Sequence, residues 1–389
     1  MQTPASECRA RAAALQATLA AQGLDGALLL QATDVFYLSG TRQNAVLWLP
    51  VSGEPVVLVR KSLERARADS PLADVRPFPP SRELAPVLGG ARKVGIGFDT
   101  VPLAVHAFWS RALPGVAFAD LSAPLRWQRS VKSPWEVERS RATCELLCGV
   151  FREVRSFLRA GMREVDLAAE FEARLRRAGN EGSPRTRSFN QEFFMGLAIA
   201  GGSATAPSFF DGPVTGRGLS PSSPVGASVD AVPADAPVLL DYTAIKDGYV
   251  ADMTRIAVAG RLDPALERAF DASLRIQEEV ARGLVPGAVP SKLWARALEL
   301  AGAAGLERNF MGPPGAQSRF VGHGVGMELD EWPVLAPGFD DPLREGQVIA
   351  VEPKFVLPGL GVAGIENTWA VTAAGGERLT KLEDAIVRV

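Results

Sequence analysis

Between Val238 and Gly260 the chain reads VLLDYTAIKDGYVADMTRIAVAG, two apolar, β-branched runs on either side of a Lys246-Asp247-Gly248 turn. Val, Ile, Tyr and Thr suit a pleated, half-buried surface, and an Asp-Gly pair suits a tight hairpin connection. The pattern predicts strands over residues 238–244 and 249–259. A hairpin turn fixes register, and register decides which side chains share a face. Asp241 and Asp252 then stand on opposite arms, toward the open end, and point to one side. Carboxylates placed this way repel each other unless a cation or a shared proton lies between them. The hairpin is therefore the first sign of a metal site.

Three later segments carry matching chemistry. Gly322-His323-Gly324-Val325-Gly326 sets an imidazole where glycine backbone can approach a ligand closely. VIAVEPK, residues 348–354, ends an apolar strand on Glu352, and GVAGIENTWAVT, residues 361–372, holds Glu366 inside another. A carboxylate among apolar strand residues needs a partner. No basic neighbour is expected to escort either one, so metal coordination is the partner expected. Taken singly, each residue has a plainer reading: a lone histidine is usually hydrogen-bonded in a core, and a strand-end acid is usually a turn or a solvated face. Together, four carboxylates and one imidazole suit two hard or borderline divalent cations.

The chain is long enough for two domains. Residues 1–125 alternate strands (26–30, 45–49, 55–60, 93–98, 116–120) with helices (61–68, 102–112), as a layered α/β domain would. Pro77, Pro79, Pro80 and Pro86 mark irregular connections. Gly95-Ile96-Gly97 lacks the third glycine of a phosphate cradle, and His106 is read as structural. A linker is expected over residues 126–134. Beyond it, Ser133 caps a helix that starts at Pro134, with Glu136 completing a capping box, and a second helix follows over 164–178. The Gly, Pro and Ser-rich stretch 179–237 keeps enough phenylalanine to be read as short strands and ordered loops lining a cleft. Helices over 264–282 and 290–304 precede a strand-rich final third.

Forty-two basic against 44 acidic residues give a net charge of −2, which offers no strong field for nucleic acid or an anionic membrane. Three cysteines cannot build a disulfide scaffold. Cys144 and Cys148 are read as small buried apolar side chains. With no leader or long apolar span recognised, a cytoplasmic protein is expected.

The ordered set of Asp241 and Asp252, GHGVG around His323, VEP at Glu352 and IEN at Glu366 resembles the pita-bread metallopeptidases. That family includes methionine aminopeptidase, aminopeptidase P, prolidase and the metal-free relative creatinase. LDGALLLQATDVFYLSG, residues 24–40, looks like the start of a creatinase-type N-terminal domain. VKSPWEVERSRAT, residues 131–143, looks like the junction that opens the catalytic domain of the aminopeptidase P and prolidase branch. The resemblance implies an α/β creatinase-like domain over 1–125 and an α+β pita-bread catalytic domain over 135–389. It also implies that Asp241 binds one metal, Asp252 and Glu366 bridge, and His323 and Glu352 complete a second. Glu352 would shuttle the proton. Manganese, cobalt, iron or zinc would all suit these donors. A homodimer acting on small peptides, of the Xaa-Pro aminopeptidase or dipeptidase kind, is the function implied.

The departures are as specific as the matches. Where the family carries a second histidine this chain has Asp330, and where the prolidase branch has another it has Arg319. Both are candidate substrate contacts. Residues 179–237 contain no histidine, and Gly364-Ile365-Glu366-Asn367 stands where Arg-Ile-Glu-Asp is usual. Two other functions therefore stand beside the peptidase: a catalytically impaired binding protein on the same fold, and a creatinase-like C–N hydrolase.

Overall fold

The structure is a computed structural model describing residues 2–389. The chain forms two compact units, one holding residues up to Arg129 together with Arg187–Gln191, the other holding Ser130–Thr186 and Glu192–Val389.

The first unit is built on a mixed six-stranded sheet. Its order is Val75–Pro77, Val56–Val59, Ala45–Pro50, Gly26–Leu29, Lys93–Ile96 and Ala117–Asp120. Gly26–Leu29 and Val56–Val59 are buried along their whole length, which is why both read as unbroken apolar runs rather than alternating ones. Val75–Pro77 lies at the sheet edge, inside a stretch whose prolines suggested irregular chain. An edge position tolerates the missing N–H of Pro77.

Two of the helices not apparent from the sequence stand out. Ala32–Ser39 is rich in β-formers, yet Gln31 caps its start and Gly40 ends it at φ 71°. Ser122–Ser130 runs into the expected linker, so the first half of residues 126–134 is helical rather than loose. The cause is a buried charge cluster. Arg129 donates to Asp34 at 2.7 Å, and Arg187 pairs with Asp34 at 3.0 Å and Asp99 at 2.6 Å. That cluster also explains why Arg187–Gln191 belongs to this unit. His106 packs edge-on against the rings of Phe98 and Phe118, the structural role expected.

In the second unit the hairpin forms as Val238–Lys246 and Tyr249–Val258. Asp247 and Gly248 both take positive φ, at 51° and 82°, which is the backbone a two-residue hairpin turn requires. Gly196–Ala200 and Val387–Arg388 flank the hairpin in a four-stranded sheet. A five-stranded sheet is ordered Glu331–Val334, Gly322–Gly324, Val348–Val351, Asn367–Thr372 and Gly375–Arg378. A short hairpin, Lys354–Leu357 with Gly361–Gly364, completes the set.

Four helices cover these sheets. Pro134–Arg152 starts with the expected Ser133–Glu136 capping box and, with Glu164–Arg177, packs on one face of the hairpin. There Cys144, Leu147, Cys148 and Phe171 meet Leu240, Tyr242 and Met253. Phe171 stacks on Tyr242 with ring centroids 4.0 Å apart. Pro264–Arg282 and Pro290–Ala303 belong to a second cluster, where Phe270, Ile276 and Val280 meet Leu239, Ile256 and Ile349. Alternation along each strand does the sorting. Even-numbered residues 238–244 face the first cluster, so Leu239 and Asp241 face the second.

Most of 179–237 is loop around the strand Gly196–Ala200. Buried Glu164 organises part of it, accepting hydrogen bonds from Ala200 N, Ser203 Oγ, Ser228 N and Ser228 Oγ. Among the described residues no helix is long and apolar enough to cross a membrane.

Candidate metal centre

Cross-strand pairing sets Asp241 opposite Thr254 and Thr243 opposite Asp252, so both carboxylates leave one face of the hairpin. Thr254 forms an isolated bridge with Glu366 and donates from Oγ1 to Glu366 Oε2 at 2.7 Å. Thr368 holds the backbone of Asp252, accepting from its N–H at 3.1 Å and donating to its carbonyl at 2.8 Å. His323 pairs with Ala350 in the five-stranded sheet, two residues before Glu352. The five residues singled out from the sequence thus come from five segments: the two arms of the hairpin, Gly322–Gly324, the end of Val348–Val351 and the start of Asn367–Thr372. Asp252, His323, Glu352 and Glu366 are buried, while the Asp241 side chain is 19% exposed.

The imidazole is oriented as a metal ligand would be. Its Nδ1 lies 3.2 Å from the carbonyl oxygens of both Gly324 and Leu329. Carbonyls only accept, so Nδ1 carries the proton and Nε2 turns its lone pair inward. Nε2 stands 3.8 Å from Asp252 Oδ2 and 3.6 Å from Glu352 Oε1. Asp252, His323 and Glu366 each offer a donor atom within 4.8 Å of the others. Asp252 Oδ1 and Glu366 Oε1 are buried with no hydrogen-bond partner. Buried orphan carboxylate oxygens beside an imidazole lone pair fit a divalent cation.

Burial, together with the charge of Glu366, holds the Asp252 carboxyl well above the usual carboxylate range, and burial also raises that of Asp241. For His323, burial alone would lower the imidazole, but the carboxylates of Asp330, Glu352 and Glu366 outweigh it and raise it. Protons and a metal ion therefore compete for the same lone pairs. Apparent metal affinity is expected to be lower at about pH 6 than at about pH 8, because the raised His323 imidazole competes more strongly for protons as pH falls. Calorimetric titration at the two values checks this, and a pH-independent affinity contradicts it.

One residue was missed. Lys354, buried, places its Nζ 2.6 Å from Glu352 Oε2, 3.0 Å from Glu366 Oε2 and 3.0 Å from Asp241 Oδ2. The expectation that no basic neighbour escorts these carboxylates is therefore corrected. Lys354 was visible in VEPK, two residues past Glu352, but only the Lys354–Gly364 pairing turns its stem inward.

Arg255 was also passed over, although it ends the DMTR motif. Fully buried, it donates to the carbonyls of Thr254 and Glu366 at 2.9 Å, to Asn367 Oδ1 at 3.0 Å and to Asp384 Oδ1 at 3.0 Å. Burial pulls its guanidinium down to about 10 despite the charge of Asp384. Asn367 passes the contact on, donating to Gln277 and Asp384. The departure at Asn367 is thus accommodated: the amide bridges, and Asp384 supplies the negative charge. Asp330 lies on the outer side of the imidazole, its Oδ1 3.8 Å from His323 Nδ1, and Arg319 is exposed.

The sequence profile of metallopeptidase family M24 matches residues 138–373, and that of the creatinase/prolidase N-terminal domain matches residues 11–131. An Xaa-Pro dipeptidase of Pyrococcus horikoshii is 24% identical over 367 residues, 94% of this chain and 95% of that protein. Among solved structures, an Xaa-Pro dipeptidase from Bacillus anthracis superposes with a TM-score of 0.85 at 22% identity, covering 98% of this chain and 100% of that one. An X-Pro aminopeptidase from Thermotoga maritima gives 0.81 at 22% identity, covering 94% and 98%. Both profiles place the chain among metallopeptidases preceded by a creatinase-type domain. The chain belongs to metallopeptidase family M24.

Proposed function

We propose that this protein is a metal-dependent hydrolase of small peptides, of the Xaa-Pro dipeptidase or aminopeptidase kind. The observation that supports this reading is the gathering of Asp252, His323 and Glu366, each offering a donor atom within 4.8 Å of the others, with Glu352 Oε1 3.6 Å from His323 Nε2 and Asp241 joined to both glutamates through Lys354 Nζ. Relatives that match over nearly their whole length bear the name Xaa-Pro dipeptidase. A divalent ion held by these donors would supply a Lewis acid for the scissile carbonyl and its attacking water. Manganese, cobalt, iron and zinc all accept such oxygen and imidazole donors.

This chain's own groups supply the rest. Glu352, with one oxygen toward His323 Nε2 and the other on Lys354 Nζ, is the group placed to take the proton released as water attacks. It then returns that proton to the nitrogen leaving as the C–N bond breaks. His323 is held in one tautomer by its backbone contacts. Asp330, beside its outer nitrogen, and Arg319 remain the candidates for contact with the ends of a short peptide.

Neither other function gains a specific observation: the orphan oxygens of Asp252 and Glu366 argue for cation binding, which a metal-free C–N hydrolase has no use for. Manganese- or cobalt-loaded protein is expected to release amino acid from an Xaa-Pro dipeptide panel, to stop on chelation and to resume on readdition. No release from any peptide, with metal shown to be bound, would overturn the substrate class. A homodimer is part of the proposal, tested by light scattering against the 41.3 kDa chain mass.

A further inference from the structure

The carboxylates of the centre divide their oxygens between two points. Around the first, Glu352 Oε2, Glu366 Oε2 and Asp241 Oδ2 all lie within 3.0 Å of Lys354 Nζ. Around the second stand Glu352 Oε1 and Asp252 Oδ2, both facing His323 Nε2, and Glu366 offers an oxygen within 4.8 Å of donor atoms of Asp252 and His323; Asp252 Oδ1 and Glu366 Oε1 have no hydrogen-bond partner. Glu352 therefore reaches both points, one oxygen to each, and Glu366 borders both. That is the layout of a paired-cation site in which one cation is an ammonium.

We propose, on the reading that this centre binds a divalent metal, that it takes a single ion held by Asp252, His323, Glu352 and Glu366, with the Lys354 ammonium filling the position of a second. A divalent ion binds carboxylate oxygens at about 2.0–2.2 Å, so an ion on the oxygens of the first point would coincide with Nζ. Displacing the ammonium without carrying it to water would leave a buried charge unpaired, which is strongly unfavourable.

The chain also makes room for this side chain. Lys354 is 1% exposed and lies opposite Gly364 in the short hairpin. A Cβ at Gly364 would stand 2.7 Å from Lys354 Cγ and 2.9 Å from its Cα. The glycine and the lysine thus form one arrangement, since a side chain at 364 would push the lysine stem aside.

Charge supports one ion rather than two. The four carboxylates carry four negative charges, of which the ammonium offsets one and a divalent ion two more. A second divalent ion beside a retained ammonium would leave the buried centre net positive.

The test is metal stoichiometry, with no reference to turnover. Protein equilibrated with excess manganese and freed of loose ion is expected to hold one ion per chain by elemental analysis. Its electron paramagnetic resonance spectrum should show the six-line pattern of isolated Mn(II). Lys354→Ala, which removes the ammonium and keeps every carboxylate, is expected to hold two ions and show an exchange-coupled spectrum. Two ions in the unaltered chain overturn the single-ion proposal and leave the peptidase reading standing. No bound ion at all overturns both. A Lys354→Ala variant that still holds one ion removes Lys354 as the excluding group. Should that variant not fold, the stoichiometry and spectrum of the unaltered chain decide alone.

Discussion

Asp252→Asn is expected to abolish tight metal binding and to lower kcat/KM on Xaa-Pro dipeptides by roughly 10²–10⁴-fold, the worth of several kcal/mol of lost charge stabilisation. The substitution keeps the shape of the side chain. The hydrogen bonds between Asp252 and the Thr368 hydroxyl also survive it, because on the Asp252 side they use only main-chain atoms. What disappears is an anionic oxygen facing His323 Nε2. The neighbouring carboxylates should be less crowded electrostatically in the metal-free variant, so its thermal stability without metal is expected to match or exceed that of the unaltered chain. Elemental analysis, a dipeptide assay and a melting curve read the three effects. Retained metal and activity within a few-fold would show that Asp252 is not a ligand.

Arg255→Ala is expected to cost about 3–5 kcal/mol of stability, the usual penalty for breaking a buried ion pair by removing one partner. The guanidinium is fully buried and ties the hairpin strand to the strand that begins at Asn367 and to the Leu382–Asp384 segment. Its loss strands carbonyl oxygens at Thr254 and Glu366 and leaves Asp384 with only the cation of Arg378, 2.6 Å away on its other oxygen. Arg255→Lys should recover only part of that cost, since a single ammonium cannot reproduce the planar fork. Urea midpoints at unchanged slope measure both variants. A shift below about 1 kcal/mol for Arg255→Ala, within the range of a surface ion pair, would contradict this. Because Arg255 also holds the Glu366 carbonyl, metal affinity is expected to fall with stability, although the guanidinium touches no donor atom of the centre.

The legible parts of the sequence were those governed by local chemistry. The Asp-Gly turn and a period-two pattern located the central hairpin within a residue or two, and alternation put Asp241 and Asp252 on one face. The Ser133–Glu136 box and Pro264 marked helix starts because a cap is written in neighbouring residues. Gatherings of distant side chains were less accessible. Ser122–Ser130 is helical through part of an expected linker, where Arg129 meets Asp34, a residue 95 positions earlier. Ala32–Ser39 is helical against the preference of its aromatic and β-branched residues, since its end signals and packing override propensity.

The five candidate ligands could be picked out as a set because each sits in a distinctive motif, even though no single motif was compelling. Lys354 was not, because its chemistry depends on a pairing that no local pattern announces. Read along the chain, a lysine after Glu352-Pro353 looks like a strand-edge charge. Folded against Gly364, it becomes a cation at the centre of three carboxylates.

Anomalous scattering from manganese-soaked crystals tests the central claim most directly. The result predicted is one strong peak per chain, about 2.0–2.3 Å from oxygens of Asp252, Glu352 and Glu366 and from His323 Nε2, with Lys354 Nζ still on Asp241. A peak elsewhere in the molecule, or none among these side chains at saturating manganese, would contradict it.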